Sequence, residues 1–411
     1  MALLVQKYGG TSVGSIERIA NVARRALAAR AAGDDVVVIV SAMSGETNRL
    51  LRLAREVAPL PDTRELDALA ATGEQVSAAL TAIAIQAQGG RARSLLGHQV
   101  RVLTDSAFTK ARIKAVDTSA ITRTLAEGGI AVVAGFQGID EAGNITTLGR
   151  GGSDTSAVAV AAALGPCPCE IYTDVNGVYT TDPNVCPSAR KIDRISYGEM
   201  LELASLGAKV LQLRSVELAM KYEVPVHVRS SFNESPGTWV VGEEPGLEAV
   251  TVTGVAYDKN EARVQLFGVP DRPGAAADIF GELAEKNISV DMIVQNPADP
   301  WRRAIDLTFT IAKTDLERVR GLLDGIAQRS GARSVDVNES VGKVSIVGLG
   351  MRSHAGVAAQ MFRLLAAENI NIQAISTSEI KVSCLVAEAD IEPAVRALHA
   401  GFGLDRPRGE R

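Results

Sequence analysis

The 411-residue chain is poor in several residue types, and each shortage excludes a class of function. Aromatic residues make up only 4% of it, and no block of lysines and arginines is present, so base-stacking surfaces and nucleic-acid partners are not expected. The formal net charge of −5 points the same way. No apolar stretch reaches the roughly 18 residues that cross a bilayer, and residues 1–8 predict a short strand rather than a signal peptide. We therefore expect a cytoplasmic protein without a membrane partner.

Cysteine is also scarce, with four residues in the chain. Cys167 and Cys169 flank Pro168, but no second pair at zinc spacing accompanies them. We therefore expect reduced structural thiols and no dedicated metal site. Apolar residues, by contrast, make up 46% of the chain and support a large core. The length predicts roughly two to four domains.

A glycine-rich loop at residues 147–154, with the sequence Thr-Leu-Gly-Arg-Gly-Gly-Ser-Asp, is the central motif. The apolar run at residues 130–136 before it predicts a buried strand, and an alanine- and valine-rich helix follows it. Such a loop can present bare backbone N–H groups to an anion at a helix N-terminus. Arg150 adds a planar fork that suits a carboxylate or a phosphate. A tight turn carrying a surface arginine would give the same pattern.

A second glycine loop follows the first predicted strand, residues 3–8, and places Lys7 beside Gly9 and Gly10. Open α/β sheets bind ligands at the carboxyl ends of their strands, where a lysine can neutralise phosphate oxygens. The alternative is a lysine whose ammonium extends from a strand end into solvent. A third loop of small residues, 41–45, follows the apolar strand at residues 35–40.

The predicted helix at residues 68–86 carries Glu74 in its first turns. This carboxylate could receive the ammonium group of a substrate. It could equally do no more than stabilise the positive end of the helix dipole.

The alternation of strands and helices up to about residue 230 predicts an α/β fold, a mostly parallel sheet with helices on both faces. We expect a first domain at residues 1–232, a linker rich in proline and glycine at 233–249, and a second region at 250–411. A helix is predicted to start at residues 207–211, and strands at 99–103 and 224–228.

The region at residues 250–411 contains an internal repeat. Residues 264–268 match residues 344–348 (344 − 264 = 80), and residues 287–290 match residues 369–372 (369 − 287 = 82). Each copy has the βαββαβ order of ferredoxin-like domains. The second copy lacks its fourth strand, and we expect residues 250–256 to supply it. The first copy, 263–338, would then be inserted into the second, 342–400 plus 250–256.

Taken together, the motifs resemble those of the aspartate kinases of the amino-acid kinase family, and the tail resembles their paired ACT domains. The resemblance implies that residues 1–232 are the catalytic domain and that residues 250–411 are the regulatory region. Tyr8 departs from the common Phe, and Asn176 from the common Asp. The motifs that carry the resemblance are Lys7-Tyr8-Gly9-Gly10-Thr11-Ser12, Ser41-Ala42-Met43, Gly73-Glu74, Gly149-Arg150-Gly151-Gly152-Ser153-Asp154, Thr173-Asp174-Val175 through Asp182-Pro183, and Gly207-Ala208-Lys209-Val210-Leu211.

The resemblance implies transfer of a phosphoryl group from ATP to the β-carboxylate of L-aspartate, the first step of the pathway to lysine, threonine and methionine, with Mg²⁺ arriving on the ATP. It implies catalytic roles for Lys7 and Asp154. The implied substrate-binding residues are Ser41, Thr47, Glu74, Arg150, Gly151, Gly152 and Ser153. The implied nucleotide-binding residues are Lys7, Gly9, Gly10, Thr173, Asp174, Tyr179, Asp182, Lys209 and Val210.

The resemblance also implies feedback inhibition by threonine or lysine at the ACT domains, in a homo-oligomer or with a separately made regulatory subunit. The implied effector-binding residues are Asp271, Ala276, Asp291, Gln295, Asn371, Ile372 and Ser378. Two alternatives stay open: a kinase of another small carboxylate such as glutamate, and an amino-acid sensor whose kinase domain is inert.

Overall fold

The computed structural model describes residues 2–165, 167–207, 210–243, 252–299, 304–352 and 356–406. They form two compact units. The first comprises residues 1–179, 191–205 and 209–246. The second comprises residues 180–190, 206–208 and 247–411, so two short segments from within the predicted catalytic domain belong to the second unit.

The first unit is built on an eight-stranded sheet. Its strands are β1 (Leu3–Tyr8), β2 (Asp35–Val40), β3 (Ala92–Leu95), β6 (Ile130–Ala134), β9 (Cys169–Thr173), β10 (Arg194–Ser196), β11 (Val226–Ser230) and β12 (Thr238–Val241). Their order is β10-β12-β11-β9-β1-β2-β6-β3. Among these strands β11 and β12 pair antiparallel and the other neighbours pair parallel, as the unbroken apolar runs of β2 and β6 predict.

A smaller sheet in the same unit was not predicted. Its strands are β4 (Val102–Thr104), β5 (Ile113–Val116), β7 (Gln137–Ile139) and β8 (Ile145–Thr147), in the order β5-β4-β7-β8. The strand predicted at residues 99–103 thus begins only at Val102. Strands of three or four residues carry too short a pattern for sequence periodicity to show them.

Eight helices are described in the first unit: α1 (Ile16–Ala31), α2 (Glu46–Val57), α3 (Thr63–Ala70), α4 (Thr72–Ala87), α5 (Ser119–Ala126), α6 (Gly152–Ala163), α7 (Tyr197–Ser205) and α8 (Leu213–Tyr222). The helix predicted to start at residues 207–211 begins later, at Leu213. Gln212 has extended backbone angles, and its side chain accepts a hydrogen bond from the N–H of Leu213, which caps the helix there.

The single helix predicted at residues 68–86 is two helices, because α3 and α4 meet at Ala71. The helical stretch Thr63–Ala87 has the length and apolar character of a membrane span, contrary to the expectation that no stretch reaches that length. Half of its apolar window is buried, however, and Ala78, Ala82 and Ile85 belong to the core cluster of the first unit. This pattern is that of a core helix.

The second unit has a six-stranded sheet. Its strands are β13 (Gly254–Pro270), β14 (Val290–Asp299), β15 (Ala304–Ala312), β16 (Ser334–Val347), β17 (Ala374–Thr377) and β18 (Lys381–Ala387), in the order β14-β15-β13-β16-β18-β17. Its helices are α9 (Ala275–Glu285), α10 (Leu316–Ser330), α11 (Val357–Ala367) and α12 (Ile391–Gly401). Two separate apolar clusters pack around these elements, one for each copy of the repeat.

Strand β13 serves both copies of the repeat. Its first residues, 254–258, pair antiparallel with residues 343–347, the first strand of the second copy. Residues 263–267 pair with residues 334–338 of the first copy. The strand missing from the second copy therefore comes from before the first copy, which confirms the insertion. It begins at Gly254 and runs past the predicted end at residue 256, and residues 250 and 251 of the predicted strand lie outside the described residues.

Candidate active site

Lys7 and Asp154 form a buried ion pair at the carboxyl end of β1. Lys7 lies between Ile39 of β2 and Ile171 of β9 in the sheet, and its Nζ is 2.5 Å from Oδ1 of Asp154. Asp154 lies in the first turn of α6, and both side chains are about nine-tenths buried. A buried charge needs a partner, so Asp154 holds the Lys7 ammonium at a defined place on this edge of the sheet.

The two glycines after Lys7 allow close approach of backbone. The N–H of Gly9 donates to the carbonyl oxygen of Tyr172 over 3.2 Å. A Cβ atom at Gly10 would lie 2.9 Å from the carbonyl oxygen of Ala42, closer than side chains tolerate. The loop after β2 therefore lies directly against the loop after β1. Ser41, in that second loop, donates its N–H to the carbonyl oxygen of Tyr8.

Glu74, in the first turn of α4, has one hydrogen-bonded oxygen and one free oxygen. Its Oε1 accepts from the N–H of Ala42 over 2.8 Å, and its Oε2 has no partner among the described residues. The residue is 3% exposed, and burial raises the pKa of its carboxyl to about 7. An unsatisfied buried carboxylate oxygen is costly, so this group is suited to receive a cation such as an ammonium. Thr47, another predicted substrate-binding residue, lies in the first turn of α2 and is half-buried.

The arginine loop, residues 147–152, joins β8 to α6. Gly149 and Gly151 both have positive φ angles, 81° and 69°, which an L side chain rarely adopts. Arg150 between them is exposed, whereas Ser153 in the helix that follows is buried. Gly152 has no room for a Cβ, which would lie 2.8 Å from the Cβ of Leu148. The turn therefore presents Arg150 outward at the start of α6.

The buried carboxylate of Asp67, which no sequence motif indicated, holds this loop in place. Asp67 of α3 accepts from the N–H and the hydroxyl of Thr147, over 2.7 and 2.6 Å, and from the N–H of Thr109 over 2.9 Å. Since α3 leads directly into α4, Asp67 ties the helix pair that carries Glu74 to the loop that carries Arg150. Two other charged residues stand close to it in the sequence, so no local pattern indicated its burial.

Two side chains at the start of α8 hold the same loop through its backbone carbonyl oxygens. Arg214 donates to the carbonyl oxygens of Leu148 and Ala111, over 2.6 and 2.9 Å. Gln212 donates its Nε2 to the carbonyl oxygen of Arg150 over 2.6 Å. These partners lie more than 60 residues from the loop in sequence, and no local pattern indicates them.

A buried polar network crosses the middle of the large sheet and was also missed. Glu170 of β9 accepts from Gln6 over 3.0 Å, from Tyr172 over 2.9 Å and from Arg229 over 3.0 Å. Burial by itself would raise the pKa of Glu170, but its hydrogen bonds with His227 and Gln6 and the charge of Arg229 outweigh burial and lower it to about 2. The network fixes β1, β9 and β11 in register beneath the site.

The predicted nucleotide-binding residues fall in different parts of the chain. Thr173 ends β9 and donates its hydroxyl to the carboxylate of the exposed Asp174, while Tyr179 forms a β-bridge with Lys191. Val210 is half-buried, and Lys209 lies outside the described residues. Asp182 belongs to the second unit, where it accepts from the hydroxyl of Tyr257 over 3.0 Å. Among the described residues no three His, Cys, Asp or Glu side chains form a metal-binding group.

The predicted effector residues lie on the second unit. Asp271 is exposed just before α9, and Ala276 lies in the first turn of that helix. Asp291 and Gln295 lie on the edge strand β14, and Asp291 forms an ion pair with Lys343. The effector residues predicted for the second copy are Asn371 and Ile372, which lie before β17, and Ser378, which lies between β17 and β18.

Comparison with known proteins agrees with this architecture. The model of the amino acid kinase family matches residues 2–230, and two ACT-domain models match residues 264–327 and 344–402. An aspartate kinase of Stutzerimonas stutzeri is 55% identical over 410 residues, which cover 100% of this chain and 99% of the relative.

Solved structures of aspartokinases are similar to this chain over nearly its whole length. Aspartokinase III of E. coli in complex with aspartate and ADP (R-state) is similar with a TM-score of 0.81 at 28% identity, over 97% of this chain and 99% of that one. Its complex with lysine and aspartate (T-state) is similar with a TM-score of 0.76 at 27% identity, over the same shares. Because a family model matches more than half of the chain and a full-length relative is 55% identical, the chain belongs to the aspartate kinases of the amino acid kinase family.

Proposed function

We propose that this protein transfers the γ-phosphoryl group of ATP to the β-carboxylate of L-aspartate, giving 4-phospho-L-aspartate and ADP. The observation that carries the proposal is the fixed Lys7–Asp154 pair beside a glycine loop, on the same sheet edge as a buried carboxylate and an exposed arginine. The crystallised complex of E. coli aspartokinase III with aspartate and ADP supports the choice of substrates. We place the reaction in the cytoplasm.

The reaction requires little from the protein beyond positioning the two substrates and neutralising negative charge on the transferring phosphoryl group. A carboxylate is already a nucleophile, so no general base is needed, and phosphoryl transfer is accelerated by neutralising charge on the moving group. Lys7 supplies that positive charge, and the backbone N–H of Gly10 adds a donor beside it, since the N–H of Gly9 already donates to Tyr172. Asp154 keeps the Lys7 ammonium aimed at the phosphoryl group. Mg²⁺ enters as part of the nucleotide substrate.

Aspartate is recognised through its two α-groups. The fork of Arg150 takes the α-carboxylate, and the free oxygen of Glu74 takes the α-ammonium. The hydroxyls of Ser41, Thr47 and Ser153 and the backbone of Gly151 and Gly152 complete the pocket. Because Asp67 links the two elements that carry Glu74 and Arg150, the spacing between these groups is set by the fold.

The remaining motif residues would bind the nucleotide and the effectors. We propose that Thr173, Asp174, Tyr179, Asp182, Lys209 and Val210 contact ATP. We also propose that lysine and threonine, as end products, inhibit the enzyme at the ACT copies, in a homo-oligomer or together with a separately made regulatory subunit.

A coupled assay of ADP release tests the proposed reaction. With Mg·ATP, the kcat/KM for L-aspartate should be at least about a hundredfold higher than that for L-glutamate. The extra methylene of glutamate moves its side-chain carboxylate away from the position where it could attack the phosphoryl group. A preference for glutamate would assign the protein to another carboxylate kinase. If the protein binds lysine or threonine but turns over neither aspartate nor glutamate, it is an amino-acid sensor whose kinase domain is inert.

Glu74 predicts a pH-dependent use of aspartate. Its pKa, raised by burial to about 7, means that its negative charge is present above that pH and is lost as the pH falls through it. The neutral carboxyl cannot pair with an ammonium, so kcat/KM for aspartate at saturating Mg·ATP should fall about tenfold per pH unit below about 7. Glu74→Gln should abolish this slope. A variant with the wild-type slope would show that another group titrates.

A further inference from the structure

A turn at residues 108–111 lies directly against the arginine loop, although no sequence motif includes it. The N–H of Ala111 donates to the carbonyl oxygen of Thr147 over 2.9 Å. A Cβ atom at Gly149 would lie 3.1 Å from the carbonyl oxygen of Thr109, closer than side chains usually come. The turn and the arginine loop therefore touch through their backbones.

Thr109 holds this turn in a backbone conformation that a β-branched residue rarely adopts. Its φ angle is 68°, in the left-handed region. Its N–H donates to Oδ2 of Asp67 over 2.9 Å, and Asp67 is 1% exposed. A buried carboxylate needs its hydrogen-bond donors, so this contact stabilises the strained form of the turn. Strained residues of this kind occur mostly at functional sites, which draws attention to the side chain that the turn presents.

That side chain is Lys110, which runs beside the arginine loop. Its Cα and Cγ atoms both lie 4.0 Å from the position of a Cβ atom at Gly149, and its ammonium group lies two methylene groups beyond Cγ. Lys110 is exposed, and no carboxylate of the described residues forms an ion pair with it. Lys114, by contrast, pairs with Glu141 over 2.9 Å. The charge of Lys110 is therefore available to a ligand of the arginine loop.

The aspartate site without Lys110 carries no net charge. Arg150 and Glu74 contribute one positive and one negative charge, and the Lys7–Asp154 pair is neutral. L-aspartate has two carboxylates and one ammonium, so it brings a negative charge that these residues leave uncompensated. A carboxylate that leaves water for a protein site needs a cation or several hydrogen-bond donors. Lys110 supplies a positive charge at the loop that receives the substrate.

We propose that Lys110, held beside the arginine loop by the strained turn at Thr109, is a further aspartate-binding residue. It adds positive charge next to the fork of Arg150 and so strengthens the binding of an amino acid with two carboxylates. Lys110 lies with the arginine loop and not with the Lys7 pair, so its contribution is to binding rather than to phosphoryl transfer. This inference rests on the proposed function, because it takes aspartate as the substrate and the arginine loop as its site.

Substitutions of Lys110 test the proposal through initial rates of ADP release over a grid of aspartate and Mg·ATP concentrations. Lys110→Ala should raise the KM for aspartate at least about tenfold, because it removes one charge-assisted contact with a carboxylate. Its kcat and its KM for ATP should stay within about threefold of wild type, since the contact is the same before and during phosphoryl transfer. Lys110→Arg keeps the charge and should stay within about threefold of wild type in all three constants. Lys114→Ala, at another exposed lysine of the same segment, is the matched control and should change none of them.

Thr109→Pro tests the part played by the turn, because proline has no N–H for Asp67 to accept and cannot take a positive φ angle. It should raise the KM for aspartate about as much as Lys110→Ala does. Thr109→Pro combined with Lys110→Ala should raise it no more than about threefold beyond either alone, because both remove the same contact. Effects that multiply would show that the turn acts by displacing the arginine loop and not through Lys110.

An unchanged KM for aspartate in Lys110→Ala would overturn the proposal. So would equal losses in Lys110→Ala and Lys110→Arg, which would indicate a packing role, and so would a rise confined to the KM for ATP, which would place Lys110 at the nucleotide. If Thr109→Pro fails to fold, the two variants of the exposed Lys110 decide the assignment. A wild-type protein that releases no ADP in the presence of aspartate would instead overturn the proposed function.

Discussion

Lys7→Ala should lower kcat by about a hundredfold or more, because the transferring phosphoryl group would lose the buried cation that the structure fixes beside the glycine loop. The loss should appear in kcat more than in either KM, since the charge matters most when the transferring group is least bonded. Steady-state ADP release at saturating aspartate and Mg·ATP measures it. Near-normal turnover would remove Lys7 from the catalytic machinery.

The buried ion pair complicates this variant, because loss of Lys7 leaves Asp154 unpaired in the interior. Breaking a buried pair typically costs about 3–5 kcal/mol of stability. Lys7→Ala combined with Asp154→Asn removes the unpaired charge and should recover most of the lost melting temperature, but none of the lost kcat. If the double variant recovered activity together with stability, the effect of Lys7 would be structural. Lys114→Ala, at an exposed lysine that pairs with Glu141, is the matched control and should change neither quantity.

Glu74→Ala and Arg150→Ala should each raise the KM for aspartate by about 10- to 100-fold and leave the KM for ATP within about threefold of wild type. Each substitution removes one charge-assisted hydrogen bond to an α-group of aspartate, which contributes about 1.5–3 kcal/mol. In the proposed arrangement these α-groups lie away from the nucleotide. Initial rates over a grid of aspartate and ATP concentrations give both constants.

The controls are an exposed arginine and an exposed glutamate of the same unit, Arg123→Ala and Glu127→Ala, which should behave as wild type. A rise in the KM for ATP instead would mean that the arginine loop binds phosphate and that the two halves of the site are assigned the wrong way round. Equal rises in both constants would indicate a displaced loop rather than a lost contact.

Several features of this protein could be predicted because they are written in short segments of the sequence or in the repetition of such segments. The unbroken apolar runs of β2 and β6 indicate strands buried on both faces, and the structure confirms a mostly parallel sheet. The positive φ angles of Gly149 and Gly151 are a property of single residues, so the arginine loop was visible as a motif. The repeat at a spacing of about 80 residues revealed the second unit, and the absence of one strand from its second copy predicted the double use of β13.

Other features were decided only by the tertiary structure, because they depend on partners far apart in the chain. Asp67 braces Thr147, Arg214 holds Leu148, and Lys343 joins Glu261 to Asp291, each across 50 or more residues. Burial decides the chemistry of such groups: it raises the pKa of Glu74 to about 7 and makes the Lys7–Asp154 pair obligatory. Sequence periodicity reports which face of an element is apolar, but not which distant charge that face will meet. Residue types and spacing therefore determined the fold and the candidate site, and long-range packing determined the protonation, bracing and charge of that site.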